Sequence, residues 1–320
     1  MKKISIIIPL YNLEGLIGKC IASALDQDLP PEEYEVIVVD DGSTDGSLAA
    51  AQRAACGHAN VQVHAKPNEG VSLARNYGTE RAAGRYVMYV DADDYLSPSV
   101  LGGLTQIMDR ERLDMLCFDM AGVDEHGGDL PLWSDGLFAR GGGEVQSGRD
   151  FLRRDCFLPM ACAYLYDRAM LERHGLGMLP MRHEDEEFTP RAIYSAKRIR
   201  YVPIRVYNYL QHNGSFMGSY DPQRRSDFVR AMKSLTGFAA LIEESDPEGA
   251  RLMRLHVGKT MFFACKQTIL GRQGNAREML RDARQQGVMP LAFRRYNFRH
   301  FLINRAPALF VLYYRLHKRR

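Results

Sequence analysis

The chain has 320 residues, 46% hydrophobic and 25% charged, which is ordinary globular usage and excludes a fibrous or wholly disordered protein. Its formal charge of +3 hides a division: up to Asp282 there are 33 Lys and Arg against 39 Asp and Glu, a net of −6, while the residues beyond carry nine Lys or Arg and no acid. A large acidic domain with a basic appendage suits this length better than three domains do.

Strand-like and helix-like segments alternate from the start. Ile4–Leu10, residues 35–40, Val61–Ala65 and residues 86–91 read as strands, and the first, second and fourth are near-continuous apolar runs, as in strands buried on both faces. Residues 14–25, 43–55 and 71–83 have helical patterning at crossover length, the second opening on Ser43-Thr44-Asp45, good capping residues. This predicts an α/β fold with a mostly parallel sheet flanked by helices. Ligands then bind at the carboxyl ends of the strands, so residues 9–11, 40–41 and 91–94 should meet in one crevice.

A helix at 97–110 and a strand at 114–118 follow. Residues 122–148, rich in Gly and Asp and holding the single tryptophan, Trp133, read as irregular hairpins over the site. A helix from about 184 to 196 leads to strands at 200–203 and 205–210, and from Asp221 the pattern is helical. The predicted division is residues 1–220 for the α/β domain and 221–320 for a helical region.

The six cysteines show no CxxC pair or metal-ligand spacing, which predicts reduced thiols. The apolar run 4–10 is short for a signal sequence and contains Pro9, so the cytoplasm is the expected compartment.

Asp91-Ala92-Asp93-Asp94 sets three acids at the end of a buried strand, where they repel one another unless a cation neutralises them. A hard oxygen-ligated ion, Mg²⁺ or Mn²⁺, is one reading; an Asp-rich capping turn is the other. Asp40-Asp41-Gly42-Ser43 repeats the choice at the second strand, between hydrogen bonding to a ligand and a strand-to-helix turn. Two such clusters on one sheet edge favour a site.

Four segments, Ser5–Asn12 (SIIIPLYN), Val38–Asp45 (VVDDGSTD), Gly70–Asn76 (GVSLARN) and Val90–Asp94 (VDADD), together resemble the family 2 glycosyltransferases in order and spacing. The resemblance covers roughly residues 1–215 and implies a GT-A fold and an inverting, metal-dependent enzyme that moves a sugar from a nucleotide-sugar donor, expected to be a UDP-sugar, to a hydroxyl of a surface polysaccharide or lipid-linked glycan. By the same resemblance Pro9 and Tyr11 line the nucleobase pocket, Asp40 accepts from the base, and Arg75 contacts the nucleotide or diphosphate. Asp93 of the DxD element binds the metal most directly, and Asp91 reaches the ribose or a metal-bound water.

Residues 183–187, His-Glu-Asp-Glu-Glu, open a helix with four consecutive acids, a placement that the helix dipole alone could explain. The family carries a Glu-Asp pair at this distance from its DxD element, which implies Asp185 as the base for the acceptor hydroxyl, with Glu184 second in line. Residues 207–215 resemble the family segment that closes over the donor, implying His212 as a metal or diphosphate ligand.

Residues 293–302 and 309–315 interleave aromatics with arginine, as interfacial helices do, and the apolar stretch 306–314 is far shorter than a spanning helix. An anionic membrane surface, with peripheral attachment, and a solvated basic face are both open; nucleic acid is set aside because no recognition motif accompanies the charge. Two other functions compete with transfer. One is a nucleotide-sugar-binding module that has no need of Asp185, and the other is a phosphatase or phosphotransferase built on the Asp91–Asp93 pair, which fits poorly because that pair follows the fourth strand.

Overall fold

The computed structural model describes residues 2–132, 134–211, 222–271 and 275–317. Its contacts divide it into two compact units, Met1–Pro180 with Glu184–Ser215, and Met181–His183 with Phe216–Arg320.

The first unit begins β1 (Ile4–Leu10), α1 (Ile17–Leu25), β2 (Tyr34–Asp40), α2 (Ser47–Ala55), β3 (Val61–Ala65), α3 (Val71–Arg81) and β4 (Tyr86–Tyr89). It continues through β5 (Tyr95–Leu96), α4 (Leu101–Glu111), β6 (Met115–Val123), β7 (Asp129–Leu130), α5 (Gly148–Arg154), β8 (Tyr164–Asp167), α6 (Arg168–Arg173), α7 (Glu184–Ser195) and β9 (Ile199–Leu210). One nine-stranded sheet results, in the order β3-β2-β1-β4-β8-β6-β9-β5, with β7 paired to β6. Strands β1 to β4 are mutually parallel, whereas β8 runs antiparallel between β4 and β6. Every residue of β1, β2 and β4 is buried, as apolar runs covered on both faces should be, while β3 at the sheet edge is half open.

The two faces are filled differently. Ile4, Ile6, Ile8 and Leu10 join Ile17 and Ile21 of α1, Ala50 and Ala51 of α2, and Leu101, Leu104 and Met108 of α4 in one core. Ile7 points the other way, toward α3, where a Cβ on Gly78 would come within 2.5 Å of its side chain, so α3 can lie close to the sheet only because residue 78 has none.

Several boundaries differ from the sequence expectation. Helix α2 starts at Ser47, not Ser43, because Asp45 turns back to accept from the Ser47 amide (3.0 Å) and the Glu14 amide (3.3 Å), knitting the loop after β2 to the one after β1. The strands expected at 200–203 and 205–210 are one strand, β9, whose register against β6 slips beside Pro203, which cannot donate to the ladder. The slip leaves Val206 and Tyr207 buried in succession. Residues 122–148 supply the end of β6 and the short β7, and β8 had no expectation at all. Five of the six cysteines are buried or half-buried, and all are free thiols.

The second unit is helical, as expected: α8 (Pro222–Leu241), α9 (Pro247–Gly271), α10 (Ala276–Gln285), α11 (Phe298–Arg305) and α12 (Pro307–Leu316). No helix among the described residues is long and apolar enough to cross a membrane.

Candidate active site

The carboxyl ends of β1, β2 and β4 carry the predicted residues. Pro9 is buried inside β1, and Tyr11, just past its end, presents a ring 47% exposed. Asp40 closes β2. One of its carboxylate oxygens accepts from the Ser43 amide (3.3 Å), and the other, Oδ1, is buried with no hydrogen-bond partner among the described residues. Such an orphaned acceptor is what a ligand N–H would satisfy.

Asp41 faces the other way. It takes Lys66 in an ion pair at 2.7 Å and accepts the amides of Glu69 (3.0 Å) and Gly70 (2.7 Å), fixing the loop that leads into α3. Gly42, at φ +71°, lies against the Asn68 amide, where a Cβ would intrude to 2.8 Å.

Helix α3 delivers Arg75, and the guanidinium is a bridge between two acids. One terminal nitrogen reaches Asp91 and the other Glu184, each at 2.5 Å, so the end of β4 is tied to the first turn of α7. Burial works against the charge of Arg75, but Asp91, Glu184 and Asp185 outweigh it and raise its pKa. Asn76, next on the helix, exchanges two hydrogen bonds with the Met178 backbone (2.8 and 2.9 Å), holding the segment that approaches α7.

The three acids after β4 have separate positions. Asp94 is buried; it accepts from the Tyr207 hydroxyl at 2.6 Å and the Leu210 amide at 2.8 Å, and burial followed by repulsion from Asp93 and Asp91 pushes its pKa well up. Tyr207 also accepts from the Asp91 amide (3.1 Å), so one hydroxyl holds both ends of the turn. Asp91 keeps a partly exposed carboxylate, and Asp93 is partly exposed as well.

Of the four acids opening α7, Glu184 is paired with Arg75 and Glu187 with Arg191 at 2.6 Å. Asp185 is partly exposed, yet its carboxyl sits deep enough that burial, then Glu184 and Glu186, push its pKa well above the usual carboxylate range, with Arg75 pulling the other way. Asp91 is near enough to add to that repulsion. His212 lies outside the described residues.

Among the described residues no group of three or more His, Cys, Asp or Glu could hold a metal ion by itself. With Asp94 turned inward, the site offers two carboxylates, Asp91 and Asp93. That set fits a hard cation such as Mg²⁺, which is held by one or two carboxylates together with substrate phosphates and water.

Sequence reasoning had no means of finding Tyr207 as the anchor of the acidic turn. It is 113 positions from Asp94, and a strand expected at 205–210 says nothing of which loop its side chains hold. Glu184, ranked as a second base, is engaged by Arg75.

The family described as Glycosyl transferase family 2 matches residues 5–174. The uncharacterized glycosyltransferase YibD of Escherichia coli is 31% identical over 224 residues, covering 67% of this chain and 62% of its own length. The poly(ribitol-phosphate) beta-glucosyltransferase of Bacillus spizizenii is 29% identical over 260 residues, 79% of this chain and 39% of its own length. The chain thus spans less than two thirds of either relative. Residues 1–349 of S. aureus TarS, crystallised with UDP, superpose with a TM-score of 0.74 at 22% identity, covering 98% of this chain and 89% of that one. The expected GT-A architecture, with helices after the sheet, is the fold adopted.

Proposed function

Since the chain belongs to glycosyl transferase family 2, we propose that it transfers a sugar from a nucleotide-sugar, with inversion at the anomeric carbon, to an acceptor hydroxyl on a surface polysaccharide or lipid-linked glycan. Transfer is assigned to residues 1–220, and residues 221–320 are taken as a separate region to which α8–α12 belong. The observation that carries the reading is the link through Arg75 from Asp91 to Glu184, which brings Asp91 within electrostatic reach of Asp185.

Tyr11 offers a flat exposed ring for a nucleobase, and Asp40 an unclaimed acceptor for a base N–H. The UDP and UDP-GlcNAc complexes of TarS support a uridine donor. Asp91 and Asp93 would hold Mn²⁺ or Mg²⁺, whose charge stabilises a departing diphosphate. Arg75, fixed between its two acids, adds positive charge beside that position and keeps Asp91 in place.

Asp185 acts as general base. Its carboxylate takes the proton of the acceptor hydroxyl while that oxygen bonds to the anomeric carbon, and the bond to the diphosphate oxygen breaks with its electron pair leaving on the nucleotide. A carboxyl whose pKa is pushed up by burial is a better proton acceptor than an exposed one. Glu184, held by Arg75, is a positioning residue for α7.

Calorimetric titration with UDP, with and without Mn²⁺, tests the donor site. We expect Mn²⁺-dependent binding that disappears in Asp93→Ala. Binding neither to UDP nor to GDP or dTDP would sink the proposal.

A further inference from the structure

Helices α11 and α12 bury one side and expose an apolar other. In α12, Phe310, Val311 and Tyr314 are buried, while Leu309, Leu312 and Leu316 are 55%, 46% and 70% exposed. Spacings of three and four residues put those leucines on one helical face. Helix α11 repeats the arrangement: Leu302, Ile303 and Asn304 are buried, whereas Phe298 and Phe301 are 63% and 50% exposed and Arg305 continues their row. The helices pack together, and Phe298 meets Tyr313 edge to face at 6.3 Å.

The loop ahead of α11 is fastened beside this face. The Asn304 side chain exchanges hydrogen bonds with the Leu291 backbone (2.8 and 2.9 Å) and donates to the Tyr296 hydroxyl. His300 pairs with the Arg295 carbonyl at 2.9 Å and stacks on Phe293 with ring centroids 3.8 Å apart. Exposed Arg294, Arg295 and Tyr296 are thereby held next to Phe298, and exposed Arg305 and Arg315 stand along the two helices. No Asp or Glu follows Asp282 in the sequence, and Asp282 and Glu278 face Arg225 of α8.

We propose that this face docks on an anionic lipid bilayer, with Phe298, Phe301, Leu309, Leu312 and Leu316 entering the boundary between headgroups and acyl chains and the arginines meeting lipid phosphates. Large apolar side chains gathered in the open mark an interaction surface. Arginines on a segment whose sequence carries no acid select the partner, because a second copy of the chain would bring like charges together, whereas anionic lipid complements them. Helices of eight and ten residues are far too short to span a bilayer, so they lie along its surface. This inference stands on the helical unit and does not depend on the transfer reaction.

Co-sedimentation of the full chain with vesicles of phosphatidylcholine alone, and of phosphatidylcholine mixed with phosphatidylglycerol, tests it. Binding to the anionic vesicles is expected to exceed binding to the neutral ones, to weaken with salt, and to fall about fivefold for each of Arg294→Ser and Arg315→Ser. Phe298→Ser combined with Phe301→Ser should also weaken it while lowering the Tm only slightly, since both side chains are half or more exposed and Phe298 meets Tyr313 only edge to face. Equal binding to both vesicle types, or none to the anionic ones, overturns the proposal. So does a concentration-dependent dimer that the phenylalanine variant dissolves while vesicles are ignored, which would give the face to a second copy.

Discussion

The loops after β2 and after β4 present the same problem, adjacent aspartates at a strand end, and solve it with different chemistry. After β2, Asp41 turns inward onto a cation, Lys66, and two amides, leaving Asp40 with an unclaimed oxygen. After β4, Asp94 turns inward onto a tyrosine hydroxyl and an amide, and burial, then repulsion from Asp93 and Asp91, raises its pKa. The first corner matches Asp41 with Lys66 and suits hydrogen bonding to a neutral base. The second keeps a surplus of negative charge, which suits a corner that receives a cation together with phosphates. In each, one acid builds the loop so that its neighbour can act. The start of α7 repeats the division, with Glu184 bound to Arg75 and Asp185 left for chemistry.

The comparison can be broken first at α7. If Asp185 is the acting acid, Asp185→Asn should lower turnover by about 10² to 10⁴ while UDP binding by calorimetry is retained. The wild-type rate should be full above the Asp185 pKa and fall as pH drops through it, since only the ionised carboxylate accepts a proton. Burial and the adjacent glutamates put that limb above the ordinary carboxylate range. Near-normal turnover in the variant would remove Asp185 from the mechanism.

At the β2 corner the expected loss is in stability. Asp41→Ala takes one partner from a half-buried Lys66, which keeps Glu69 at 2.7 Å, and leaves the Glu69 and Gly70 amides without their acceptor, for about 3 kcal/mol in urea denaturation. A loss within about 0.5 kcal/mol, as at an ordinary surface site, would deny Asp41 its structural role. The smallest effect belongs to the β4 corner, where no ion pair is broken. Tyr207→Phe leaves one Asp94 oxygen and the Asp91 amide short of a partner, for about 1–3 kcal/mol. A double-mutant cycle with Asp94→Asn should show coupling of at least about 0.5 kcal/mol; strict additivity would mean that the hydroxyl does not hold the turn.

Much of the fold was legible because it is written locally. Apolar runs such as Ile4–Leu10 announce strands covered on both faces, and their alternation with helices fixes a parallel sheet whose carboxyl edge collects Tyr11, Asp40 and Asp91. The antiparallel β8 escaped notice, because four residues between an irregular segment and the short helix α6 have too little pattern to read. The helix boundaries after β1 and β2 moved for a related reason: Asp45 and Ser47 bond across two loops, and that competition cannot be seen from one loop alone.

The sequence by itself determined which residue types stand at the sheet edge, because strand and helix periods are local and the acids occupy strand ends. Only the tertiary structure decided which acid of each pair holds its loop in place. That choice depends on donors far along the chain, Lys66 for Asp41, Tyr207 for Asp94 and Arg75 for Glu184, and a buried carboxylate settles wherever folding supplies the hydrogen bonds and charge that replace water.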